Sequence, residues 1–146
     1  MKEPLIISGC LLGLACRYDG KTKPLPEDIL HKLRQSYSLI AVCPEQLGGL
    51  ATPRDAAEFN GNGFFTRDNT DVTTAYQKGA AETLKLAHFF GASRALLKEK
   101  SPACGFGKIY DGTFTKTLTD GNGAAAHLLH QHGISVYGEH NIDELL

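Results

Sequence analysis

The chain has 146 residues, of which 42% are hydrophobic and 21% charged, and its 15 Lys and Arg stand against 16 Asp and Glu for a net charge of -1. That size predicts one domain, residues 1–146, with a real core, and that balance lacks the basic excess of a dedicated nucleic-acid binder, pointing to a small or neutral ligand. No apolar run approaches the roughly 18 residues that span a bilayer, and the longest candidate, residues 5–16, is broken by Gly9 and Gly13 and followed at once by Arg17-Tyr18-Asp19-Gly20, unlike a signal peptide. The expected location is cytoplasmic, with no membrane partner.

Residues 4–9 form a short apolar run ending in Gly9, the pattern of a buried strand. Residues 27–36 carry Ile29, Leu30 and Leu33 at helical spacing behind Pro26, which suits a helix start. Residues 38–43 predict a second buried strand, stopped by Pro44. Residues 44–70 are rich in Gly and Pro and read as irregular, with Phe59, Phe64 and Phe65 suggesting a hairpin or flap. Residues 71–90 predict a long helix, capped by Asp71 or Asn69 and ended by Gly91, with Val72, Tyr76, Ala80, Thr83, Ala87 and Phe90 on one face. Residues 93–98 predict a third strand, 123–132 a helix ended by Gly133, 134–138 a fourth strand, and the last residues a short helix. Short apolar strands alternating with helices imply an α/β fold: a small doubly wound, Rossmann-like, mainly parallel sheet with helices on both faces. Ligands of such sheets bind beyond the carboxyl ends of the strands.

The cysteines fall at that edge. Cys10 follows the first strand, Cys43 closes the second, and Cys104 lies a few residues beyond the third. Reduced thiols in the cytoplasm point to metal or catalysis before disulfides. The chain lacks C-x-x-C, which removes thioredoxin-type chemistry, and lacks the paired cysteines of a zinc ribbon and the tight cysteine run of a bacterial ferredoxin. Thiols on separate loops can still hold a cluster. The alternative for each is a small buried hydrophobe. Cys16 sits in the loop with Arg17, where no strand delivers it to the crevice. It could be a core residue, a thiol beside the ligands, or a fourth ligand, and is read as a non-ligand.

Ser8-Gly9-Cys10-Leu11-Leu12-Gly13 with Cys16-Arg17-Tyr18-Asp19-Gly20, Val42-Cys43-Pro44-Glu45-Gln46-Leu47-Gly48-Gly49-Leu50 with Thr52-Pro53-Arg54, and Lys98-Glu99-Lys100-Ser101-Pro102-Ala103-Cys104-Gly105 followed by Ile109-Tyr110-Asp111-Gly112-Thr113-Phe114 resemble three signatures of the thiouracil desulfidase (desulfurase) family. The resemblance runs from about residue 5 to 139. It implies a [4Fe-4S] cluster held by Cys10, Cys43 and Cys104, with one iron left open. The implied enzyme activity is non-redox, hydrolytic removal of sulfur from thiouracil, a small thiolated pyrimidine, giving uracil and sulfide, with the sulfur bound by the open iron. Longer relatives with an extra domain are linked to thiolated tRNA; the lack of such an extension here favours a free base or small nucleoside. Ala103 stands where many relatives have Ser or Thr.

Such chemistry needs a base. Glu45 follows Cys43 closely, with Pro44 fixing the turn, and is the expected general base or proton shuttle; the alternative is an ion pair with Arg17 or Arg54. Ser101 is expected to position substrate or relay a proton, and otherwise to shape the Ser-Pro turn. Arg17, Tyr18 and Asp19 could brace the site. Phe64 and Phe65 are read as core. His127, His130 and His132 read as a solvated helix end rather than a zinc site, and neither Gly105-Phe106-Gly107 nor Gly121-Asn122-Gly123 is a phosphate loop. The competing functions are a cluster-bearing redox or sulfur-carrier protein, favoured if Cys16 is a ligand, and a colourless binding module for a modified nucleoside.

Overall fold

The computed structural model describes residues 2–146. In chain order come β1 (Glu3–Ser8), α1 (Glu27–Ser36), β2 (Tyr37–Val42), the single-turn α2 (Pro44–Leu47), β3 (Ala57–Phe59), β4 (Phe64–Thr66), α3 (Thr73–Phe90), β5 (Arg94–Leu96), β6 (Lys108–Tyr110), β7 (Leu118–Asp120), α4 (Ala124–Gln131) and β8 (Ser135–Tyr137), with 3-10 turns at Gly9–Leu12 and Glu139–Leu145.

Four strands make a parallel sheet in the order β2-β1-β5-β8. Strand residues alternate between faces, and the two faces bury different helices. Leu5 and Ile7 of β1 and Leu96 of β5 pack with Leu33 of α1 and with Leu145. Ile6, Ala95 and Val136 pack with Tyr76 and Ala87 of α3 and Leu129 of α4. The sheet is thus covered on both sides, as the apolar strand runs imply. The chain leaves β1 for β2 on one side and later returns to lay β5 on the other. That reversal opens the crevice at the carboxyl ends of β1 and β5.

Local sequence explains the helices. α1 begins after Pro26 with Glu27 and Asp28 in its first turn, where carboxylates suit the helix dipole. α3 starts at Thr73, slightly later than the periodicity suggests, and the Asp71 Oδ1 accepts from the Thr73 N–H at 2.9 Å. It ends where Gly91 takes a left-handed φ of 70°. Tyr76, Ala80, Thr83 and Ala87 are buried as expected, but Phe90 is 49% exposed and lies off that face. Residues 44–70 do contain a hairpin, β3–β4, and Phe64 is core, its ring stacked on Tyr76 at 4.6 Å. A second hairpin, β6–β7, lies where no strand was expected. Glu58 joins the two hairpins, its Oε1 accepting from the N–H of Gly112 at 3.0 Å and of Phe114 at 3.1 Å. Among the described residues no helix is long and apolar enough to cross a membrane.

Candidate metal centre

Cys10 lies in the 3-10 turn directly after β1, Cys43 between β2 and α2, and Cys104 in the turn that follows β5 and Lys100. The three line one cavity of about 520 Å³ at the strand-order reversal. The placement matches the expectation from strand ends. Cys16 does not match: it lines the same cavity. The loop after β1 curls back, with Leu14 N–H donating to Gly9 O at 3.1 Å and the Arg54 Nη2 donating to Cys16 O at 2.8 Å. All four thiols are free, and Cys10, Cys16 and Cys104 are each only 6% exposed.

Burial sets the acidity of these thiols. It pushes Cys10 upward, opposed by Lys98 and Arg17. It pushes Cys16 up to about 12, reinforced by Cys43 and Cys10. Cys104 is raised well above the thiol range by the same burial, while a hydrogen bond from Ser8 pulls the other way. Cys10, Cys16 and Cys104 therefore hold their protons until something cationic compensates them, and metal uptake by any of these three would release its proton. Ser8 is itself 2% exposed, and its Oγ accepts the Lys98 N–H at 2.8 Å, bridging the ends of β1 and β5. Its role was not legible beyond its place in the first signature.

Glu45 enters the cavity from α2. Its Oε1 accepts from the Tyr76 hydroxyl at 2.7 Å and from the Arg54 Nε at 3.0 Å. The ion pair with Arg54 is real, and it coexists with a cavity position. Both bonds fall on one oxygen, which leaves Oε2 for water or ligand. Burial, then Glu45, raises Tyr76 far above the phenol range, so its hydroxyl stays a donor. For Arg54, burial opposes the charge, but Glu45 and Cys43 outweigh it and hold the guanidinium ionised. Tyr76 reads as core in the sequence, and its periodicity gives no sign of this contact. The turn of Cys43 and Glu45 reaches α3 because Gly48 and Gly79 face each other's backbone without side chains.

Ser101 shapes the Cys104 turn: its Oγ accepts from Ala103 N–H and Cys104 N–H, both at 3.1 Å. It also lines the cavity. With its oxygen twice accepted, its own proton is free to be donated. The turn is seated on α4, whose Ala124 and Ala125 N–H groups donate to Pro102 O and Ala103 O at 2.9 Å each.

The bracing loop is as expected. Arg17 pairs with Asp19 at 3.7 Å, and Tyr18 O accepts from Arg54 N–H at 2.8 Å. Seven Lys and Arg side chains line the cavity against three Glu, in a chain whose net charge is -1. Such a wall favours thiolates and other anions. The three histidines lie elsewhere and are exposed, with His130 against the Phe106 ring at 5.2 Å.

Thiols gathered in one cavity are a donor set that fits a thiolate-bound metal or cluster. Among the described residues no group of three His, Cys, Asp or Glu side chains is arranged to hold a single metal ion. Thiolates around one zinc lie roughly 3.8 Å apart, from a metal–sulfur bond of about 2.3 Å. Ligands to different corners of an iron–sulfur cube stand farther apart, and softness selects thiolates for both.

The chain is similar to known proteins over nearly its whole length. The model of the 2-thiouracil desulfurase family matches residues 5–141. The uncharacterized protein YbbK of Bacillus subtilis (strain 168) is 40% identical over 152 residues, covering 97% of this chain and 99% of that protein. A solved structure described as the [4Fe-4S]-dependent thiouracil desulfidase TudS has a TM-score of 0.94 at 43% identity, covering 99% of this chain and 95% of that one. This chain belongs to the 2-thiouracil desulfurase family.

Proposed function

We propose that this chain, as a single domain, removes sulfur from thiouracil by hydrolysis, with a [4Fe-4S] cluster held by Cys10, Cys43 and Cys104. The observation that carries the reading is the meeting of these three thiols with Glu45 in one cavity at the strand-order reversal, in a fold similar to that of the desulfidase TudS. A cluster with three thiolate ligands offers one iron without a protein ligand, which supplies Lewis acidity toward a thiocarbonyl sulfur.

The side chains supply the rest. Glu45 Oε2 takes a proton from the attacking water, while Tyr76 and Arg54 fix the carboxylate through Oε1. Ser101 donates its hydroxyl proton to a polar atom of the ring and holds it in place. The basic cavity wall favours the developing sulfide. Thiouracil and water become uracil and hydrogen sulfide, with no electrons gained or lost. A free base or small nucleoside is the favoured substrate over thiolated tRNA, given the net charge of -1.

One observation favours a second reading. Cys16 lines the same cavity, and as a fourth ligand it would close the open position and make an electron or sulfur carrier. Anaerobic purification, reconstitution and incubation with 4-thiouracil separates the two. Uracil and sulfide formed without added reductant are expected. A brown protein that turns over nothing would favour the carrier, and a colourless one would end both readings.

A further inference from the structure

We infer that Arg54 is a positioning residue that joins the Cys43 thiolate to the Glu45 carboxylate through one guanidinium, so that the cluster's ligand field and the placement of the base depend on the same side chain. The inference rests on the function proposed above.

Arg54 carries five N–H donors in a planar fork, and this structure gives each an acceptor. Nε donates to Glu45 Oε1 at 3.0 Å. Nη1 donates to Ala51 O at 3.1 Å and Thr52 Oγ1 at 2.8 Å. Nη2 donates to Cys16 O at 2.8 Å and lies 3.9 Å from Cys43 Sγ. The Arg54 backbone N–H adds a bond to Tyr18 O at 2.8 Å. One side chain thus clamps three segments: the Cys16 loop, the Cys43–Glu45 turn and its own loop. Its side chain is only 7% exposed and that of Glu45 13%, so water cannot replace these contacts cheaply.

The sulfur contact has a distinct consequence. In the thiol form the Cys43 Sγ donates to Cys16 O at 3.5 Å. A ligating Cys43 has lost that proton, and its sulfur becomes an anionic acceptor facing Nη2. Charge-assisted bonds are the stronger kind, and bonds to ligand sulfurs raise the reduction potential of a cluster by stabilising its electron-rich state. Tyr76 differs, because it touches Glu45 and has no bond to Cys43. The two partners of Glu45 can therefore be told apart: only Arg54 acts on the metal side as well. Lysine keeps the charge but not the fork.

The test compares three preparations with anaerobically loaded cluster. Arg54→Lys is expected to lower kcat roughly 10- to 100-fold, the equivalent of one lost charge-assisted bond, and to shift the cluster's reduction potential to more negative values. Tyr76→Phe is expected to lower kcat with the potential unchanged. An Arg54→Lys potential equal to that of the unmodified protein would overturn the inference. A measurement that needs no Arg54 variant guards against failed loading. Protein labelled with 15N-arginine is reduced with dithionite and its nitrogen hyperfine couplings are read by pulsed EPR. An arginine coupling that persists in Arg17→Lys supports the assignment, and its absence there overturns it. A coloured, active protein without that coupling refutes only the Arg54 role, whereas a colourless protein refutes the cluster reading itself.

Discussion

Gly79 of α3 faces Pro44 so closely that a Cβ on Gly79 would stand 1.8 Å from the Pro44 carbonyl oxygen. Gly48 stands in the same relation to Ala75, where a Cβ would meet the carbonyl oxygen at 2.0 Å. Both obstacles are backbone, so neither can swing aside. Gly79→Ala must push α3 off the turn that carries Cys43 and Glu45. We expect a loss of about 1–3 kcal/mol from overpacking, read by denaturant unfolding, together with a weakened Tyr76–Glu45 bond and reduced turnover.

The thiols should separate by role. Cys10→Ala, Cys43→Ala and Cys104→Ala are each expected to abolish stable loading of the brown cluster, followed by absorption after reconstitution. Cys16→Ser is expected to keep both colour and desulfuration. A full, stable cluster in Cys43→Ala, or a colourless Cys16→Ser, would redraw the ligand set.

Glu45→Ala should retain the cluster and lose activity by roughly the 10²- to 10⁴-fold that a positioned base contributes. Stability should fall as well, because Arg54 loses its buried counter-ion. Survival of activity in a loaded Glu45→Ala protein would remove Glu45 from the proton path.

Ser101→Ala strips the acceptor from two backbone N–H groups of the Cys104 turn. A stability loss of about 1–3 kcal/mol is expected, with turnover falling further than loading. If loading and turnover fell in proportion, Ser101 would be a turn residue alone.

Acidity gives a prediction for the reduced protein before cluster loading. Burial raises Cys10, Cys16 and Cys104 above the ordinary thiol value of 9.0, Cys16 to about 12. The folded chain therefore holds these protons more tightly than the unfolded chain. Their contribution to stability is complete below about 9 and is lost as pH rises toward 12. The melting temperature should drop across that window, and a Cys16→Ser variant should show a shallower drop.

The alternation of apolar runs made β1, β2, α1, α3, α4 and β8 legible, since each buries a periodic face. The β6–β7 hairpin was not, because Leu118, Thr119 and Asp120 are all exposed and carry no burial pattern. Cys10, Cys43 and Cys104 could be placed because they follow strands that order themselves. Cys16 could not, because a loop held by Gly9 O and Arg54 obeys no period. Tyr76 shows the deeper limit. Its position on α3 says only that it is inside, and whether its hydroxyl meets a carboxylate depends on a turn some thirty residues away in sequence, brought near by Gly48 and Gly79.

The thiols of Cys10, Cys43 and Cys104 hang from turns that meet only after β1 has paired with both β2 and β5. Apolar clusters close both sides of that sheet from side chains alone. Apolar packing thus holds together the sheet that places these turns, whereas small zinc domains depend on their metal in order to fold. Under the function proposed above, loading a cluster would be a delivery step into a fold that its own core already holds together, past a cavity wall that carries seven Lys and Arg side chains.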